Sequence, residues 1–396
     1  MKKNKMWFFT LIYEPNTENM LIKKSNVGLD IAANVFQWNV IEGINYLNDG
    51  KLEILNCLPI GTWPTQFKQF LFKEKSWQYK KLKFSNVSFI NVPFIKQYSR
   101  YKYIKKFINK NLKENDKVLI YSPYLPYLKA IYDTNLNLDV TMIVTDLPEY
   151  YDFDNKSRLK SMLRNLQNNK ISKYMKKVNK FVLLTEQMKN KLNVDDNSYV
   201  VVEGICDTKY HNFHVEKKEK RIVLYTGSLH YQYGIKNLLD AFCIINEKNV
   251  ELWICGKGEA ENFILDLSTQ DNRIKYLGFK THEEVIKLQQ QATVLVNPRK
   301  SEGEFTKYSF PSKTMEYMLS GTPVIMNKLE GIPLEYYKYL FVPENEDYKS
   351  LAETMIHVLN LDRDYLEKFG MNASNFVKNS KNYIIQSEKI LELINK

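Results

Sequence analysis

The chain has 396 residues, 44% of them hydrophobic, a formal charge of +12 and four cysteines. That length suits two domains better than one, and the apolar content excludes wholesale disorder. No window approaches the roughly 20 apolar residues of a membrane-spanning helix. Cys57, Cys206, Cys243 and Cys255 have no zinc spacing, which points to reduced thiols in a cytosolic setting.

Residues 6–13 follow a basic lead and imitate a signal peptide, but Glu14, Pro15 and Asn16 stand where small cleavage-site residues belong. The stretch therefore reads as a first β-strand. Further strands are predicted at 52–59, 118–122, 141–145, 180–185 and 199–202, with helices at 30–48, 104–113 and 157–177. A polar, charge-rich stretch at 214–220 reads as a linker. All five histidines follow residue 210, so the first half has none for base catalysis or metal binding, and His211 and His214 sit beside the linker.

The positive charge is concentrated. From Lys68 to Lys110 there are twelve Lys/Arg and one acidic residue, Glu74, interleaved with aromatics. From Asn155 to Lys180 there are nine Lys/Arg and no acid, with Leu159, Met162, Leu163 and Leu166 at helical spacing. A basic amphipathic helix of this kind lies on an anionic membrane surface. That reading is preferred over nucleic acid and over a merely solvated basic face. It marks Lys80, Lys81, Lys105, Lys106, Arg158, Lys160 and Arg164 as an acceptor or membrane surface.

After the linker the alternation restarts, with strands at 221–225, 250–255, 274–277, 293–297 and 322–326 and helices at 237–246, 283–290, 348–359 and 375–394. Two α/β units with open parallel sheets follow from this order. Such sheets bind ligands outside the carboxyl ends of their strands. Gly227, Gly234, Gly256, Gly258 and Gly278 gather just after strands of the second unit.

One helix has unusual punctuation: "YSFPSKTMEYMLSGTPVI", residues 308–325. Ser309 reads as its N-cap, Pro311 as a first-turn residue and Gly321 as its stop. Met315, Met318 and Leu319 share a core-facing stripe, and Lys313 and Glu316 share another face. That second face is either a solvated ion pair or an anion site. In the second case the helix N-terminus with Ser312, Lys313 and Arg299 holds a diphosphate, and Glu316 accepts hydrogen bonds from sugar hydroxyls.

The segments "YTGSLHYQYGIKNLLDAF", "LWICGKGEAENF", "IKYLGF" and "VNPRKSEGEFTKYSFPSKTMEYMLSGTPVI" occur in the order found in retaining glycosyltransferases of family 4, which this chain resembles over about residues 221–342. "FPSKTMEYM" with "SGTPVI" is similar to the branch that builds bacterial capsule, lipopolysaccharide and exopolysaccharide. The resemblance implies the GT-B architecture: two Rossmann-like α/β domains with parallel sheets facing a central cleft. The acceptor-binding domain would span 1–208 and the nucleotide-sugar domain 209–374, with the helix at 375–396 returning to the first.

It further implies sugar transfer, with retention, from a nucleotide diphosphate sugar to a glycan acceptor, lipid-linked, at the inner face of the cell membrane. Neither a cofactor nor a dedicated metal is expected. Gly227, Gly256, Lys257, Arg299, Ser312, Lys313 and Glu316 would form the donor site, with Glu302, Glu304 and Asp146 as catalytic candidates. Relatives keep a second carboxylate eight residues before Glu316, where this chain has Tyr308, and two cations where it has Ser228 and Tyr233. A sugar-nucleotide epimerase of the same fold and a decayed nucleotide-sugar or polyanion-binding protein are the alternatives.

Overall fold

Parallel sheets with helical crossovers build both halves of the chain. The computed structural model describes residues 5–147, 158–206 and 220–396, apart from the side chains of residues 18 and 158–164. It divides into two units, one of Met1–Ile205 with Tyr383–Lys396 and one of Cys206–Asn382.

The first unit runs β1 (Met6–Thr10), α1 (Glu18–Lys24), α2 (Ile31–Leu47), β2 (Leu52–Asn56), β3 (Leu71–Phe72), β4 (Lys75–Tyr79), β5 (Leu82–Asn86) and β6 (Phe89–Ile90). It continues with α3 (Ile95–Asn111), β7 (Lys117–Tyr121), α4 (Leu125–Tyr132), β8 (Asp139–Val144), α5 (Arg158–Met175), β9 (Lys180–Leu183), α6 (Gln187–Leu192) and β10 (Tyr199–Val201). Eight strands form one sheet in the order β10-β9-β8-β7-β1-β2-β5-β4, and only the edge pair β4/β5 is antiparallel. Trp7, Phe8 and Phe9 are successive yet all buried, as in a central strand covered on both faces.

The basic-aromatic stretch is structured differently from the sequence expectation. Its middle is the β4–β5 hairpin, where Trp77 stacks on Phe84 at 3.9 Å while Lys75, Lys81 and Lys83 point to solvent. Helix α3 begins nine residues before the predicted 104. Its early turns contain Lys96 and Arg100, both buried, which break the apolar periodicity. Each donates to a backbone carbonyl, Lys96 to Ile60 and Arg100 to Leu58.

The second unit contains β11 (Arg221–Ser228), α7 (Ile235–Cys243), β12 (Val250–Lys257), α8 (Glu261–Gln270), β13 (Ile274–Gly278) and α9 (His282–Gln291). Then come β14 (Val294–Asn297), α10 (Ser312–Leu319), β15 (Val324–Met326), α11 (Tyr348–Leu359) and α12 (Arg363–Ser380). Its five strands are all parallel, in the order β13-β12-β11-β14-β15. Val223, Leu252 and Val294 on these strands share a core with Leu238, Phe242 and Met355 on the helices.

The chain ends in α13 (Tyr383–Asn395). The single predicted helix at 375–394 is therefore two: residues 375–380 finish α12 in the second unit, and α13 lies on α2 in the first. Among the described residues, no helix is long and apolar enough to cross a membrane.

Gly43 makes the α2–α13 contact possible. A Cβ there would lie 2.2 Å from Ser387 Oγ and 2.3 Å from the Tyr383 carbonyl oxygen. Gly43→Val should therefore push α13 away and destabilise the first unit by about 1–3 kcal/mol. A urea midpoint equal to the parent's would refute this close approach.

Candidate functional site

Strands β11 and β12 run in register so that Gly227 faces Gly256 at their carboxyl ends. Both glycines have positive φ, +148° and +150°. A Cβ on Gly256 would lie 1.7 Å from the Gly227 carbonyl oxygen, and one on Gly227 would lie 1.7 Å from Lys313 Nζ. Backbone thus meets backbone at the sheet edge, and the Lys313 side chain lies across the space left by Gly227.

Lys313 belongs to the first turn of α10, with its Nζ 6.0 Å from the centre of the Tyr225 ring. Burial holds its ammonium pKa below the ordinary lysine value, and the Glu316 charge opposes that shift only in part. One turn on, Glu316 Oε1 accepts a 2.6 Å hydrogen bond from Gln289 Nε2. Gln289 is fully buried on α9; its carbonyl accepts from the Thr322 hydroxyl at 2.7 Å, and its Oε1 has no partner. The next residue along α10, Tyr317, accepts from Thr226 N at 2.8 Å and donates to Thr226 O at 3.0 Å. Helix α10 is therefore pinned to the end of β11, and Lys313 and Glu316 are not simply a solvated face.

Arg299 follows β14 and is 7% exposed. Its Nη2 donates to Ser309 Oγ at 2.7 Å, and its guanidinium stands 5.1 Å from the Phe305 ring and 6.0 Å from the Tyr233 ring. Its Nε is buried without a partner, and burial lowers its pKa from the usual guanidinium value. Gly234 backs this corner, since a Cβ there would lie 2.1 Å from the Pro298 carbonyl oxygen. Ser309 is not the N-cap expected from sequence. Pro311 occupies that position and has no side-chain group that can cap, while Ser309 Oγ, two residues earlier, is engaged by Arg299. Ser312, in the uncapped first turn, is exposed.

Glu302 and Glu304 are also exposed. Glu302 sits 3.6 Å from Lys300 Nζ. Glu304 opens a 3-10 turn, Glu304–Tyr308, and Tyr308 Oη donates to Glu304 Oε1 at 3.3 Å. Tyr308, at the position where the resemblance implies a carboxylate, thus holds one in contact. Lys257 ends β12 but turns its Nζ to the Phe279 ring at 5.4 Å rather than to Lys313.

The remaining candidates lie in the first unit. Asp146 follows β8 with an accessible side chain; partial desolvation by surrounding protein raises its pKa, Asp30 adds to the rise, and the Thr145 hydroxyl opposes it. Lys80 is paired with Glu42 at 2.6 Å, whereas Lys81 stays exposed, 3.9 Å from an equally exposed Asp49. Lys105 is half-buried and Lys106 exposed. The side chains of Arg158, Lys160 and Arg164, and both His211 and His214, lie outside the described residues.

Gln289, Thr226 and Tyr317 escaped the sequence reading. The signal for Gln289 was its place three residues after Ile286, on the buried stripe of α9.

Several known proteins are similar to this chain. Residues 207–376 match the family model described as Glycosyl transferases group 1. Two uncharacterized glycosyltransferases of Methanocaldococcus jannaschii are similar, one 31% identical over 118 residues and one 24% identical over 206. The matches cover 29% and 50% of this chain and 29% and 54% of those proteins, so the chain spans at most about half of their length. Among solved structures, the sucrose-phosphate synthase of Thermosynechococcus elongatus aligns with a TM-score of 0.67 at 13% identity, covering 99% of this chain and 98% of that one. The structure described as trehalose-6-phosphate from E. coli bound with UDP-2-fluoro glucose aligns at 0.68 and 9% identity, covering 99% of both. The apo lipopolysaccharide outer core galactosyltransferase WaaB aligns at 0.64 and 14% identity, also covering 99% of both. The chain has the GT-B fold of two Rossmann-like α/β units, and residues 207–376 match the glycosyl transferases group 1 model.

Proposed function

We propose that the chain is a retaining glycosyltransferase of family 4 that transfers a sugar from a nucleotide diphosphate sugar to a glycan acceptor. The acceptor is lipid-linked, in surface-polysaccharide synthesis, and the enzyme works peripherally at the inner face of the cell membrane. The observation that carries this reading is Lys313 lying across Gly227, with Glu316 held by Gln289 one turn away, inside the group 1 domain.

In this reading the diphosphate takes the place at the uncapped start of α10. Lys313 and Arg299 neutralise the charge that develops as the diphosphate departs, the kind of preorganised electrostatic stabilisation that lowers barriers most. Glu316 spends Oε1 on Gln289 and offers Oε2 to donor hydroxyls. Glu304, held by Tyr308, stands in for the missing carboxylate, with Glu302 as its neighbour in the loop. Asp146, its pKa raised, is suited to accept the acceptor's proton.

The reading is tested by thermal shift with UDP-, GDP- and dTDP-sugars. One of them should stabilise the parent, by about 2.7 kcal/mol at one hundred times its Kd. Glu316→Ala and Arg299→Ala should each weaken binding by roughly tenfold or more, since each removes a charged hydrogen-bonding group. Gln289→Leu should weaken it less, because it removes only the donor that positions Glu316. Equal stabilisation of all four proteins would refute the site. Nucleotide diphosphate release that proceeds without acceptor would favour an epimerase-like or hydrolytic activity, and transfer abolished by EDTA would refute catalysis by protein cations alone.

Lys313 adds a pH signature. Its depressed pKa means that the positive charge is lost as pH rises through a value below 10.5. Nucleotide diphosphate affinity should therefore fall earlier in the alkaline range than an ordinary lysine would dictate. Lys313→Met should bind weakly and show no such limb; a parent whose affinity stays flat through the alkaline range would refute the role.

A further inference from the structure

The first unit exposes large apolar side chains on one connected face. Phe94 is 98% exposed, in a left-handed backbone conformation with φ +63°. It immediately precedes α3, whose first turns present Ile95 and Tyr98, 46% and 58% exposed. Beside it, β3 and β6 pair so that Phe72 and Phe89 stack inward while Leu71 and Ile90 face out. Phe70, 54% exposed, extends the face toward Trp63, whose ring lies 6.2 Å away.

These pieces share one rigid base. Asn91 N donates to the Phe70 carbonyl, its side-chain amide bridges the Gly61 and Gln69 carbonyls at 3.0 Å, and Ser99 Oγ accepts from Ile90 N at 3.1 Å. A bulky residue at positive φ is strained, and such strain persists where function holds it. Full exposure of the same ring removes packing as the explanation, because Phe94 gains nothing from the fold.

The rim of this face is cationic. Lys68 and Lys73 flank Phe70 and Leu71 in the chain, and Lys102 Nζ stands 5.5 Å from the Tyr98 ring, with Lys106 one turn further along α3. The one acidic residue between Lys68 and Lys110 is Glu74, and its carboxylate accepts from Tyr103 Oη at 2.7 Å. Projecting aromatic and aliphatic side chains ringed by lysines match the boundary between lipid headgroups and acyl chains, which receives such side chains without a preformed pocket.

We infer that this face, from Trp63 to Tyr98, seats the protein on an anionic bilayer, with Phe94 and Ile95 entering the acyl boundary and Lys68, Lys73, Lys102 and Lys106 meeting headgroup phosphates. The inference rests on the membrane part of the proposed function and moves the contact away from Lys80, which is held by Glu42, and from its neighbour Lys81.

The test is flotation of the full chain with phosphatidylcholine vesicles containing or lacking phosphatidylglycerol. The parent should float with the anionic vesicles. The triple variant Phe94→Ser/Ile95→Ser/Tyr98→Ser should lose roughly tenfold or more in partitioning with an unchanged melting temperature, since its targets are exposed. Lys102→Glu/Lys106→Glu should lose at least about fivefold per lysine, whereas Lys80→Ser/Lys81→Ser should float like the parent. Brominated lipid should quench a tryptophan signal that disappears in Trp63→Phe. A triple variant that floats as well as the parent overturns this surface and leaves the membrane reading standing. A parent that floats with neither vesicle overturns both, while donor stabilisation still reports separately on the transferase reading. A concentration-dependent dimer abolished by Phe94→Ser would overturn the lipid assignment in favour of a second copy.

Discussion

The approach of two strand ends without side chains is the constraint on which the candidate site depends. Gly227 and Gly256 lie opposite one another in the β11–β12 register; a Cβ on Gly256 would strike the Gly227 backbone, and one on Gly227 would occupy the place of Lys313 Nζ. Removing those side chains lets Lys313 lie over the sheet edge instead of out in solvent. Anchoring then comes from Tyr317, which hydrogen-bonds both the N–H and the C=O of Thr226, just before Gly227. A helix turn and a strand end are thereby held together by backbone geometry and one phenol, and the polar side chains take their places around that joint.

The charges around the joint are only partly compensated, and this fits a site built for an anion. Lys313 and Arg299 are both desolvated enough to depress their pKa values, and Arg299 Nε has no protein partner. Removing a cation from water is unfavourable unless a counter-charge arrives, and a bound diphosphate would supply one. The resemblance to family 4 leads one to expect cations at Ser228 and Tyr233. The Ser228 carbonyl accepts from Tyr225 Oη, and the Tyr233 ring stands 6.0 Å from the Arg299 guanidinium. Neither replacement brings a charge, so the weight falls on the two cations that remain.

The first unit sorts a superficially uniform basic-aromatic stretch into an interior and a surface. Trp77 and Phe84 stack within the β4–β5 hairpin, Arg100 lies over the Phe89 ring at 3.9 Å, and Phe94 and Tyr98 stay outside. Composition is the same on both sides of that division. What separates them is strand pairing: Phe72–Phe89 turns toward the core and Leu71–Ile90 away from it. The helix that ends the chain closes the same unit against α2 at Gly43, a contact between residues more than three hundred positions apart.

Sequence periodicity alone determined the alternation of strands and helices, the two α/β units, the start and stop of α2 and α11, and the gathering of glycines at strand ends, because each is a local property of short windows. Lys313, Glu316 and Arg299 were legible as candidates for the same reason, through a well-punctuated helix and a strand end next to it. Tertiary structure decided the rest. Periodicity placed the start of α3 too late, since Lys96 and Arg100 are buried by hydrogen bonds to carbonyls that belong to a distant loop. It made Ser309 an N-cap, whereas the competing Arg299 guanidinium takes the hydroxyl. It could not show Gln289 holding Glu316, 27 residues further along the chain. A hydrogen bond between residues far apart in the chain leaves no period in the sequence; it exists only once the sheet has brought both ends to one edge.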